Sequence, residues 1–136
     1  MSGTTRFLAR LIGLFILVVV AATFVRGSAV VETMVGDPSI MFVLAMISVA
    51  AGLAMVLAHN VWSGGVLPVA VTLVGWWILA KGLMLLFLTP DMLARLLGQM
   101  HYGEHFHLFL VPSLAIGLYF TWAGFAAPPP DARPPV

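Results

Sequence analysis

The chain has 136 residues, of which 62% are hydrophobic and 8% charged, and its formal net charge is +1. A soluble domain carries about 25% charged residues, so this composition excludes a water-soluble globule and makes lipid the natural solvent. The absence of cysteine excludes thiolate metal sites, iron–sulfur clusters and disulfides, and the near-neutral balance offers no basic face for nucleic acid.

A bilayer core takes about 20 apolar residues in a helix. Phe7 to Val25 is the first such stretch, closed by Arg26, and Ile40 to Ala58 the second, closed by His59-Asn60. Val66 to Leu88 is the third, closed by Thr89-Pro90, and Phe106 to Ala127 the fourth, closed by a run of three prolines. Only Arg10 and Lys81 place a formal charge inside these stretches. Without water every backbone N–H and C=O must be satisfied within the segment, so each stretch is expected to be a helix. The expectation is an all-α membrane four-helix bundle, one transmembrane domain over 1–127, with a Pro-rich disordered tail over 128–136. The first stretch has the basic start and the small residues (near "RGSA") of a signal peptide. Its apolar run is long for one, and a retained helix is expected.

Two connections are long, Arg26 to Ser39 and Thr89 to His105. In "TPDMLARLLG", Thr89 is a good N-cap, Pro90 suits the first helical position and Asp91 the first turn. Met92, Leu93, Leu96 and Leu97 recur at helical spacing, which predicts an amphipathic interfacial helix over about 90–98. Asp37-Pro38 starts the second span in the same way. Arg6, Arg10 and Arg133 lie at the two ends of a chain with an even number of spans. The slight positive-inside bias puts both termini in the cytoplasm.

Internal similarity runs along the chain. "LIGLFIL" (Leu11 to Leu17) matches "LVGWWIL" (Leu73 to Leu79), and "SVAAGL" (Ser48 to Leu53) matches "SLAIGL" (Ser113 to Leu118). "MVG" (Met34 to Gly36) falls where "LLG" (Leu96 to Gly98) lies in the second half. The order is kept, which points to two tandem helical-hairpin repeats related by an axis along the membrane normal. The matched glycines, Gly13 with Gly75 and Gly52 with Gly117, would let helices approach closely, with the Ser-x-Ala-x-Gly-Leu faces near the bundle centre.

Three places carry polar chemistry. Lys81 sits two turns before the end of the third span, where a charge is costly. It would snorkel to the headgroups, pair with Glu104 or Asp91, or serve a pathway or ligand. In "AHNVWSGG", a charged His59 would meet the helix dipole, Asn60 would cap in a left-handed conformation, Trp62 would sit in the interface belt, and Ser63-Gly64-Gly65 would turn the chain. The third place is "QMHYGEHFHLFLVP", with His101, Glu104 and His105 on one helical face. That spacing can hold zinc or copper, with Met100 and His107 as further ligands. A polar lip on the fourth span accounts for the same residues.

His101 to His105 also spells H-x-x-E-H, but the only later acid is Asp131 in the tail, and Gly103 weakens the helix that such a protease needs. A b-type haem would need facing histidines at one depth, and His59 lies at the opposite side from the other three under this topology.

"HNVWSGGVLPVAVTLVGWWILAKGL", His59 to Leu83, resembles the most distinctive segment of a family of uncharacterised small four-span bacterial inner-membrane proteins. The shared pattern falls on His59, Asn60, Trp62, Pro68, Thr72, Leu73, Gly75, Trp76, Lys81 and Gly82. The resemblance implies an inner-membrane location and no particular activity. The functional expectation is a non-enzymatic bundle without cofactor that binds other membrane subunits or itself. The alternatives are an outer-face metal or small-ligand site at His101, Glu104 and His105, and a small transporter or channel with Lys81 in its path.

Overall fold

The computed structural model describes residues 2–101 and 104–126. The Pro-rich tail with Asp131 and Arg133, and the residues Tyr102 and Gly103, lie outside them. The described residues form six helices: α1 (Gly3–Arg26), α2 (Ala29–Gly36), α3 (Pro38–Ala58), α4 (Val66–Phe87), α5 (Pro90–Gln99) and α6 (Phe106–Ala126). Of these, α1, α3, α4 and α6 are long and apolar enough to cross a membrane. The protein is an all-α membrane helical bundle with two short helices, α2 and α5, in its long connections.

The helix ends follow from side chains that replace missing intrahelical partners. The Ser2 hydroxyl accepts Thr5 N–H at 3.2 Å, and Gly27 ends α1 at φ 76. The Asp37 carboxylate accepts Ser39 N–H at 2.8 Å and Ile40 N–H at 3.1 Å, with Pro38 next to it. Thr89 caps α5 by accepting Met92 N–H at 3.4 Å. Gly64 and Gly65 turn the chain into α4 at φ 91 and φ 123, a region that a side chain disfavours. One short helix was not expected: Ala29–Gly36 is helical, and α2 so formed packs against α5, α3 and α1.

The four long helices pack as two close antiparallel pairs, α3 with α4 and α1 with α6, joined where α1 touches α4. Glycine sets the approach within each pair. A Cβ on Gly52 would stand 2.5 Å from Leu79 N, and one on Gly82 2.7 Å from Val49 N. In the other pair, a Cβ on Gly13 would stand 2.5 Å from Thr121 N, and one on Gly124 3.0 Å from Arg10 N. Backbone therefore rests on backbone at four points. Small residues do this in lipid because no hydrophobic drive exists between helices there, and close dispersion contact takes its place. The Ser-x-Ala-x-Gly-Leu faces do not meet at the centre: Gly52 of one lies on Leu79 of α4, and Gly117 of the other on Ile16 and Leu17 of α1. The core where the pairs join is Ala9, Ile12, Leu67, Val71 and Phe120.

Candidate functional site

Polar groups inside a bundle must find partners, and here most find backbone carbonyls. His59 is the extended residue that closes α3, with φ −149, and it is 3% exposed. Its Nε2–H donates to the Pro68 carbonyl of α4 at 3.2 Å. The carbonyl only accepts, so the ring nitrogen facing it carries the proton. This corrects the expected dipole contact: the imidazole reaches across to the next helix instead. Asn60 is not left-handed either, since His101 is the only described non-glycine residue at positive φ. The Asn60 carbonyl oxygen accepts the Trp62 indole N–H at 2.7 Å.

Thr72 completes this latch. It is 1% exposed, on the face of α4 turned to the His59–Trp62 connection. Its hydroxyl accepts Val61 N–H at 3.0 Å and has Val61 O at 2.9 Å and Pro68 O at 3.1 Å for its one proton. One buried hydroxyl so satisfies both backbone groups of Val61. Sequence reasoning had Thr72 only as a member of the shared pattern. The signal was available: a threonine one turn after a proline on the same face of an apolar span.

Arg10 is the counterpart in the other pair. Its Nε–H donates to the Gly124 carbonyl at 2.9 Å, and its guanidinium lies 4.6 Å from the Phe125 ring centroid. Gly124 belongs to the last turn of α6, whose carbonyls lack helical partners and carry the negative end of the dipole. Arg10→Leu is expected to cost roughly 1 kcal/mol, since the side chain is only half-buried. SDS titration of the purified protein would read it as an earlier unfolding midpoint. Thr121 returns its hydroxyl to Gly117 O at 2.8 Å, beside Gly13.

The histidine cluster does not assemble. His101 stands at φ 49, outside α5 and α6, so the single helical face expected for His101, Glu104 and His105 is not formed. The His101 and His105 rings lie edge-to-face, 6.5 Å between centroids, and His105 Nδ1–H donates to His101 O at 3.3 Å. His107 turns away to Phe24 at 5.6 Å. Among the described residues no three His, Asp or Glu side chains gather as a metal site. His101, Glu104 and His105 lie between α5 and α6 rather than within a helix, so the helical register that the spacing assumed does not hold for them.

Lys81 is exposed on the outer face of α4, and no ion pair joins it to Asp91 or Glu104 among the described residues. Trp76 and Trp77 lie on the same helix, also exposed.

Comparison with protein-family models, with curated proteins and with solved structures finds no match for this chain.

Proposed function

We propose that this chain is a non-enzymatic membrane bundle whose task is to hold other membrane subunits, or further copies of itself. One observation carries the reading. Arg10, His59, Thr72 and Thr121 all bond backbone carbonyls of the fold itself. These polar groups are thus taken up in keeping four helices in place, while the outward faces present many large apolar and aromatic side chains, with Lys81 exposed among them. Such a surface offers lipid or another helix a place to pack.

The proposal includes two tandem copies of one unit. Gly52 rests on Leu79 in one pair, and Gly117 rests on Leu17 in the other. Gly75 rests on Met55 and Val56, and Gly13 rests on Thr121. The repeat aligns Gly52 with Gly117, Leu79 with Leu17, and Gly75 with Gly13, so aligned residues meet aligned residues. The extensive contacts run between the copies, α3 with α4 and α1 with α6, rather than within them. An inner-membrane location and cytoplasmic termini complete the proposal, supported by the resemblance of the His59–Leu83 segment and by Arg6, Arg10 and Arg133.

Native mass spectrometry of the full chain, extracted from membranes in mild detergent, tests the reading. The expected result is a discrete complex heavier than one chain. A folded protein that flies only as a single chain would overturn it.

A further inference from the structure

The outward face of α4 carries Leu73, Trp77, Ala80, Lys81 and Met84, all exposed. Trp77, 71% exposed, sits at the middle of the 22-residue helix Val66–Phe87. Exposed tryptophans of membrane helices gather at the interfaces, where the indole N–H meets water or headgroups. At mid-helix the ring stands far from either interface, and neither the Trp77 indole nor the Lys81 ammonium has a hydrogen-bond or ionic partner among the described residues. Lys81 stands six residues before Phe87, the last of α4. At 1.5 Å per residue that is about 9 Å below the helix end. The two residues are one turn apart, so they share one face.

Resting on the reading above, we infer that this α4 face docks a transmembrane helix of a different protein, one that carries a carboxylate at the depth of Lys81. Charge decides the kind of partner. The four long helices of this chain contain no aspartate or glutamate. A second copy packed in parallel through this face would bring Lys81 to Lys81 at equal depth, which repels. A lipid phosphate reaches the ammonium by snorkelling, but leaves the Trp77 ring, one turn deeper, without a packed neighbour. A helix laid along Leu73, Trp77 and Met84 covers both residues, and Ala80 lets it come close beside Lys81.

The test places a benzophenone amino acid at position 84 of the full-length chain and irradiates intact membranes. Position 118 on α6 serves as the comparison face. The expected adduct from position 84 maps to an apolar segment of another protein bearing Asp or Glu. Lys81→Met should lower its yield at least tenfold, and Lys81→Arg should keep it. Lys81→Glu should abolish it, and reversing the partner's acid to lysine should restore it. Rescue excludes misfolding of the variant as the cause. Adducts to lipid alone, adducts to a second copy alone, or a yield indifferent to Lys81→Met each overturn the inference. A partner captured only from position 118 sinks the α4 face while leaving the partner-binding reading intact. No partner from either position, with a single chain in native mass spectrometry, removes both.

Discussion

Gly52→Val is expected to separate α3 from α4 and to give the largest loss of stability of any single change in the spans. The new Cβ would stand 2.5 Å from Leu79 N and 2.6 Å from its Cα, where backbone cannot turn aside as a flexible side chain can. The helices must part, and the neighbouring contact of Gly82 with Ser48 and Val49 opens with them. Overpacking of this kind costs about 3 kcal/mol. SDS titration followed by tryptophan fluorescence reads the loss as a lower midpoint. The helices themselves should survive, because backbone bonding in lipid does not depend on the neighbour. Gly98→Ala is the contrasting change. Gly98 lies in α5, and a methyl group added there would meet nothing within 4 Å, so alanine should leave stability unchanged or raise it by about 0.5 kcal/mol. Equal loss from both variants would sink the packing account.

Thr72→Val is expected to release the connection between α3 and α4. The isosteric methyl keeps the volume but can neither accept Val61 N–H nor donate to Val61 O. Two backbone groups of Val61, itself 37% exposed, then lose their partner. Water meets part of the loss, so the cost is about 1 kcal/mol. Hydrogen exchange of the Val61 amide is the direct measurement, with faster exchange in the variant and unchanged exchange within α1. Thr72→Ser, which keeps the hydroxyl, should restore most of the protection. An amide equally protected in Thr72→Val would show that the hydroxyl holds nothing. His59 supports the same turn through Pro68 O.

Much of the architecture was legible in the chain alone. The four long apolar helices and the short helix at Pro90–Gln99 could be read from apolar length, capping residues and helical spacing. Each of these is a local property, set by neighbours in the chain. The short helix Ala29–Gly36 was not read, because eight residues give too few turns for a period to show. Its contacts with α5 come from far along the sequence.

The polar residues divide along the same line. Residue type alone marked Lys81, His59 and the histidine run as chemical, since polar groups in an apolar chain stand out. What they touch was not legible. His59 was expected to serve its own helix and instead bonds Pro68 of the next one. His101, Glu104 and His105 were expected on one helical face, and they lie instead outside the helices, between α5 and α6. Arg10 looked like a topology signal and is bound to the far end of α6.

The amino-acid sequence by itself determined the solvent of this protein, its helical class and the number of long helices. Those depend on composition and on backbone hydrogen bonding, which each segment settles alone. The pairing of α3 with α4 and α1 with α6, the latch of Thr72 on Val61 and the outward face of Lys81 and Trp77 were decided only in the tertiary structure. They depend on which glycine meets which backbone, and any apolar helix with a glycine could have offered that contact until the others took their places.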